Sequence, residues 1–362
     1  MKYFIGVDVG GTTSTIAVGD EHRNLRMVSH QFATRSSAGP IATIEDITCQ
    51  MIAALTSYGA TIADVENVAL ATPGPATLDG VLLKTPNLRA DLWDRCAIRQ
   101  GLQDRLRKQS PSVTVSYIGD GQAAALGEFA IRTGQIDWTT CETFACDHRV
   151  PQALDIQSLF FAAVGTGLGG GEVRDGKVVR GSQGRAGHVG HLMLPTHAFR
   201  HDHDRANKVG NALCTAESAI SLSALTYQLP HRLSQDAYRQ HPLNQHDGSM
   251  KDRAKTLRQL CADGDPMAVE MLDDQARALG MVMLMVNYIG DYDLLVIGGG
   301  VCDMSDDMRA RYLKIAEQSY YDNALDGFRN LAGLTFSICG DAASVVGALR
   351  YAYETPVVIA AD

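Results

Sequence analysis

No run in this chain approaches the roughly 18 consecutive apolar residues that a membrane-spanning helix needs. The longest apolar stretches, around 281–289 and 294–297, have the size of buried core elements. No membrane partner is therefore expected. Cys-x-x-Cys pairs are missing as well. The eight cysteines lie far apart, which in a chain of this size reads as reduced thiols in a cytoplasmic protein rather than a disulfide framework. No signal peptide is expected, because the pattern enters a strand by Tyr3. Basic excess is absent too. With 32 Lys+Arg against 41 Asp+Glu, the formal net charge is −9. That speaks against nucleic acid as a general partner, since a phosphate backbone demands basic surface. It does not speak against ATP, which is held by local dipoles and metal. Finally, no G-K-[ST] occurs in any glycine run, which excludes a Walker P-loop.

What is present suffices for about two domains at the usual ~150 residues each. The 362 residues are 45% hydrophobic and 20% charged, enough to bury a full core. Periodicity predicts a strand pair within 3–18, one more strand in the polar stretch 20–40, and a helix over 41–58. Strands follow over 65–70 and 113–118, with helices over 96–107 and 122–131. Residues 132–157 have no clear period and read as a surface insertion. Beyond them come a strand over 159–164, a glycine turn over 165–171 and a hairpin over 172–180. Helices are expected at 214–228, 251–260, 266–288 and 305–319. Strands are expected over 294–300 and 334–338, and a final helix to about 353. Alternating strands and helices predict the α/β class.

The segment YFIGVDVGGTTSTIAV, residues 3–18, carries the first chemical signal. Strands broken by Gly10-Gly11 read as a hairpin, with the glycines expected to turn at positive φ and to bare the main chain. Exposed peptide N–H groups beside the Thr12 and Thr13 hydroxyls make a concave anion site. Asp8 would repel a bare phosphate but suits Mg²⁺ or a water bound to it. An ordinary hairpin with a glycine turn is the alternative. A similar unit returns at Gly165-Thr166-Gly167-Leu-Gly-Gly. It fits G-x-G-x-x-G, but a dinucleotide site needs a helix after the glycines, and the alternating 172–180 with Asp175-Gly176 at its tip is a hairpin. NAD is rejected, and a second phosphate hairpin remains.

Three further features carry alternatives. Gly298-Gly299-Gly300 ends a strand and suits either the approach of a flat nucleoside or a tight strand–helix turn. Asp120 stands at a strand's carboxyl end, where ligands of α/β sheets bind. It could accept a proton from an attacking hydroxyl or simply cap the next helix. His188, His191, His201, His203 and Cys214 are zinc ligand types in a spacing that matches no compact zinc site, so a solvated polar loop is the other reading.

Taken together the residues resemble the ROK family of sugar kinases, glucokinase-like members in particular. The resemblance rests on DVGGTT at 8–13, TPGP at 72–75, TPNL at 85–88, AAALGE at 123–128, GTGLGGG at 165–171, GHVGH at 187–191 and IGGGV at 297–301. It implies an α/β, two-lobed actin-like, hexokinase-like ATPase fold of duplicated ribonuclease H-like domains. An N-terminal lobe would span 1–118, with the C-terminal helix (about 341–362) packing back on it, and a larger lobe 119–340. The resemblance also implies ATP and Mg²⁺ as cofactors, a small-molecule sugar substrate and a homodimer. Asp8, Gly10, Gly11 and Thr12 resemble the first phosphate loop. Gly165, Thr166 and Gly167 resemble the second, and Gly298–Gly300 would face adenosine. Asp120 matches the catalytic base. Gly74, Asn87, His191 and Glu217 match sugar-pocket positions, His191 being one that binds sugar or zinc.

The chain also departs from that pattern. The usual Asn-Asp-Ala-Asn is Gly119-Asp120-Gly121-Gln122, and the usual Glu-x-Gly-His is His188-Val-Gly-His191. Of the zinc-binding cysteine run only Cys214 is echoed, with His201 and His203 as conceivable replacements, so no structural zinc is expected. A retained base with altered sugar contacts implies a hexose or hexose derivative other than plain glucose. Two competing functions remain: a ROK-type sugar sensor, for whose usual N-terminal DNA-binding module a first strand at Tyr3 leaves no room, and a degenerate nucleotide-binding scaffold.

Overall fold

The computed structural model describes residues 1–85, 88–144, 153–328 and 333–354. Contacts divide the chain into two compact units. The first comprises Met1–Leu159, Gly171–Gly187 and Ile338–Asp362, the second Phe160–Gly170 and His188–Ser337.

In the first unit the chain runs β1 (Tyr3–Val9), β2 (Thr13–Asp20), β3 (Leu25–Val28), β4 (Phe32–Ala33), α1 (Pro40–Thr56) and β5 (Val65–Thr72). It continues through α2 (Ala90–Trp93), α3 (Ile98–Arg107), β6 (Thr114–Gly119) and α4 (Asp120–Arg132). Then follow β7 (Leu159–Val164), β8 (Leu168–Arg174), β9 (Lys177–Val178), α5 (Asp202–Arg205), α6 (Ala216–Ile220) and α7 (Leu222–Leu233). The last elements are α8 (Met250–Ala262), α9 (Pro266–Gly290), β10 (Leu294–Gly298), α10 (Asp306–Asn323), β11 (Leu334–Phe336) and α11 (Ala343–Ala352).

The first sheet has the order β3-β2-β1-β5-β6, with β4 on β2. β1 and β2 form the antiparallel hairpin, while β1, β5 and β6 run parallel. Alternation in β1 buries Ile5, Val7 and Val9 in one core with Ile44, Ile47, Met51 and Leu55, which recur at helical spacing along α1. On Gly6 a Cβ would overlap the backbone of Val345 and Leu349, so α11 lies directly on the strand. The second sheet has the order β11-β10-β7-β8-β9, and the division between the units falls within β8. Long apolar α9 fills the second core together with α6, α8 and α10.

Three local expectations are corrected. The stretch 20–40 holds two short strands, because residues 25–28 and 32–33 each pair with β2. The helix expected over 214–228 breaks at Ser221. Its hydroxyl caps α7 by accepting from Ala224 N, as the Thr215 hydroxyl caps α6. The second glycine turn is only 165–167, since Leu168–Arg174 already forms a strand. Of the insertion at 132–157, residues 145–152 lie outside the described residues, as does the segment after Glu354.

Candidate active site

Parallel pairing places three polar side chains at the carboxyl ends of adjacent strands. Asp8 of β1 is level with Ala71, and Thr72 of β5 is level with Gly119, the residue before Asp120. Carboxyl ends of parallel strands are where α/β sheets bind ligands. Asp120 is not the N-cap residue, although its carboxylate still accepts from an amide of the helix's first turn. Gly119 is the N-cap, and Asp120 opens α4 with its Oδ1 accepting from Gly121 N at 2.7 Å. Burial pushes the Asp8 carboxyl up to about 7; the charges of Asp120 and Asp341 add to this, and a hydrogen bond from Ser344 opposes it. Three carboxyl groups thus share one neighbourhood beside the first turn of α11.

The tip of the first hairpin, 10–12, follows Asp8 directly. Gly10 N donates to Thr13 O at 2.9 Å, and Thr34 N donates to Thr12 O at 2.8 Å. The expectation of positive φ fails at Gly10. Glycine is needed there for closeness, since a Cβ would stand 2.8 Å from the Thr13 carbonyl oxygen. Gly11 sits at the same tip, Thr12 is exposed, and Thr13 opens β2. Gly74 follows β5 in the Pro-Gly-Pro turn, joined to Pro75 by a cis peptide. Asn87 lies outside the described residues.

In the second unit the turn 165–167 is fixed from below. Leu222 N and Ser223 N donate to the carbonyls of Gly165 and Thr166 at 2.9 and 3.1 Å, and the Ser223 hydroxyl donates to Thr166 O at 2.8 Å. Carbonyls tied down this way leave the turn's peptide planes little freedom. Glu217 Oε2 accepts from Leu168 N at 2.8 Å, and a Cβ on Gly167 would come within 2.5 Å of that same oxygen. Gly190 lies against the Leu168 carbonyl and Glu217 Cβ. Its neighbours His188 and His191 hold their rings 6.5 Å apart and 14° from parallel. Glu217 and the two-histidine turn therefore meet at the foot of the second hairpin. Gly298 packs on Phe161, and Gly299 adopts φ 81° with no room for a Cβ, which would sit 2.6 Å from Val164 O.

The zinc candidates are not drawn together. Among the described residues no three or more His, Cys, Asp or Glu side chains are placed to hold a metal ion. His203 instead stacks on His231 at 4.4 Å and on Tyr227 at 4.6 Å, while His201 meets His231 edge-on at 5.3 Å. Cys214 Sγ points to Arg205 O at 3.8 Å. For Mg²⁺ the donor chemistry fits in a looser way: mutually repelling carboxyls around Asp8 are the setting a divalent cation relieves, and Mg²⁺ usually keeps several waters.

Sequence reasoning missed several supports. Ser344 donates to Asp8 Oδ1 at 2.9 Å from the far end of the chain. Gln122 Nε2 donates to Gly184 O at 3.2 Å and Ala186 O at 3.1 Å, so this amide organises the 180–186 loop. Polar residues that act through long-range contacts leave no local pattern; the G-D-G-Q departure at 119–122 was the one visible cue.

Three comparisons bear on this geometry. A family profile described as the ROK family matches residues 4–139 and 141–354. The glucokinase of Halalkalibacterium halodurans is 23% identical over 352 residues, covering 96% of this chain and 93% of its own length. The N-acetyl-D-glucosamine kinase of Vibrio cholerae is 25% identical over 300 residues, covering 82% of this chain and 84% of its own. Among solved structures, a ROK family glucokinase from Streptomyces griseus in complex with glucose and AMPPNP superposes with a TM-score of 0.70 at 24% identity. It covers 97% of this chain and 99% of that one. This likeness establishes the actin-like, hexokinase-like α/β fold.

Proposed function

The chain belongs to the ROK family, and we propose that this sugar kinase transfers the γ-phosphoryl group of ATP to a hydroxyl of a hexose or hexose derivative, with Asp120 as general base. The observation that carries the reading is the placement of Asp8 and Asp120 at the carboxyl ends of β1 and β6, on either side of β5, with Asp8 two residues before the glycine tip of the first hairpin.

Phosphoryl transfer passes through a loose transition state, so positioning and charge neutralisation matter more than covalent chemistry. Asp120 would orient the sugar hydroxyl and take its proton as the new O–P bond forms and the bond to the β-phosphate oxygen breaks, releasing ADP. Amides at Gly10–Thr12 and at Gly165–Gly167 would donate to phosphate oxygens, with the Thr12 and Thr166 hydroxyls beside them. Gly298–Gly300 would take the nucleoside. Asp8 would hold Mg²⁺ through water, and the ion would neutralise charge on the phosphates. Glu217, His188 and His191 would bind the sugar, along with Gly74 and Asn87. His188 in place of a carboxylate supports a hexose derivative over plain glucose, and the similarity to both a glucokinase and an N-acetyl-D-glucosamine kinase supports that substrate range. A homodimer in the cytoplasm is part of the same proposal and rests on the sequence and the family resemblance alone.

The test is ADP release from Mg·ATP across a panel of hexoses, N-acetylhexosamines and other hexose derivatives. Turnover that needs one of these acceptors is expected. No acceptor-dependent turnover on any of them would contradict the reading.

A further inference from the structure

We propose that Gln122 is a positioning residue for the acceptor sugar, its side-chain amide tying the 180–186 loop to the helical turn that carries Asp120. The inference rests on the reading of the chain as a sugar kinase with Asp120 as base. It adds the residue that keeps the acceptor in register with that base.

The chain leaves the second unit after Gly170 and re-enters it at His188; the excursion between them, Gly171–Gly187, belongs to the first unit. Its outgoing end is held by shape. A Cβ on Gly171 would stand 2.2 Å from Gly121 O and 2.7 Å from Gln122 Cα, so the backbone of β8 lies on the turn that follows Asp120. Its returning end is held by a side chain. Gln122 is 3% exposed. Its Nε2 donates to Ala186 O at 3.1 Å and to Gly184 O at 3.2 Å, while its Oε1 accepts from Gly119 N at 3.4 Å. Both ends of the amide are thus in use, one on the loop and one on the residue before Asp120. Methionine would fill the same space without donating to either carbonyl.

The loop held in this way backs another. Arg180 donates to Leu78 O at 2.8 Å and to Tyr351 Oη at 3.1 Å. Gly184, at φ 75°, leaves only 3.3 Å between a Cβ and the Leu78 side chain and 3.6 Å to Ala76 O. Residues 76–78 therefore rest on the 180–186 loop just beyond Gly74. The acceptor contacts proposed at Gly74 and at His188 adjoin, along the chain, segments that this one amide holds, and the base stands on the same helical turn as the amide. A shift of about an ångström between a reacting group and its base costs up to about 10²-fold in rate. The phosphate turns have other supports. Gly10 and Thr12 bond to Thr13 and Thr34, and the carbonyls of Gly165 and Thr166 accept from Leu222 and Ser223. Loss of the Gln122 amide should thus be felt by the sugar and not by ATP.

Steady-state kinetics of the full chain test this, with the hexose or hexose derivative that the wild type turns over best as acceptor. Gln122→Met should raise KM for that sugar about 10-fold, the loss expected for one to two hydrogen bonds. Its KM for ATP should stay within about twofold of wild type, because the phosphate turns do not depend on Gln122. Gln122→Asn, which keeps the amide on a shorter side chain, should give a smaller rise in the same constant; it carries the test should Gln122→Met not fold. A sugar KM at the wild-type value in both variants would overturn the assignment while leaving the kinase reading intact. So would a fall in kcat with both KM values unchanged, the mark of a merely structural loss of active enzyme. A wild-type chain that turns over no sugar would overturn the kinase reading and the assignment together.

Discussion

Ser344, in the first turn of α11, donates a hydrogen bond of 2.9 Å to Asp8 Oδ1 on β1, 336 positions away in the chain. The end of the chain thus supports the carboxyl group at its beginning. That bond favours the charged form of Asp8, which burial and the neighbouring Asp120 and Asp341 disfavour.

Ser344→Ala should therefore raise the Asp8 pKa above about 7 and cost about 1 kcal/mol of stability, the usual worth of one such bond. A pH–rate profile checks the first effect. Its acid limb should move to higher pH, and an unmoved limb would show that Asp8 ionisation is not needed for turnover.

The raised Asp8 pKa also sets a stability trend in the metal-free protein. Between its ordinary 3.8 and about 7 the folded chain keeps a proton that the unfolded chain has lost. The contribution of Asp8 is therefore fully present below about pH 4 and is lost as pH rises through 7. Asp8→Asn should flatten that decline. Melting temperatures of both proteins from pH 5 to 8, with and without Mg²⁺, test it; added Mg²⁺ should restore wild-type stability at pH 8 but do little for the variant.

In the second unit, Arg232 is 1% and Asp204 3% exposed, and they pair at 2.8 Å. Removing one partner of a buried pair leaves an uncompensated charge, so Arg232→Ala should cost about 3–5 kcal/mol. Denaturant unfolding measures it. Burial alone would lift the Asp204 carboxyl, but Arg232 holds it below the usual carboxylate value. The His231 imidazole beside it is lowered by burial, by His203 and by Arg232. His231 then contributes stability above its ordinary 6.5 and loses it as pH falls below that value. His231→Gln should make the melting temperature less sensitive to acid between pH 7 and 5.5.

At the crossing of α4 and α11, a Cβ on Gly347 would overlap the Ala123 carbonyl, and one on Gly127 the Ala343 carbonyl. Gly347→Ala should therefore destabilise by about 3 kcal/mol or more, against the slight gain that Ala gives in a helix without such contact. Thermal unfolding decides between these signs.

Much of this was legible in the sequence because it is local. The hairpin at 3–18, the strand ends at Asp8 and Asp120 and the second hairpin at 165–180 are all written in strand alternation broken by glycine or Asp-Gly. What was not legible depends on contact at a distance. Nothing near Ser344 announces Asp8. Gly10 illustrates a subtler loss: the residue type was read correctly as special, but its reason is the nearness of the Thr13 carbonyl rather than its φ. The histidines at 201 and 203 looked like metal ligands by type, and their actual partners, Tyr227 and His231, lie one helix away.

The central claim is that Asp120 takes the proton from the acceptor hydroxyl. Its most direct test is acceptor-dependent ADP release by Asp120→Asn, measured beside sugar and ADP binding by the same protein. The claim predicts that turnover falls by about 10²–10⁴-fold, the usual contribution of a general base, while both ligands still bind. Turnover within a few-fold of wild type would contradict it.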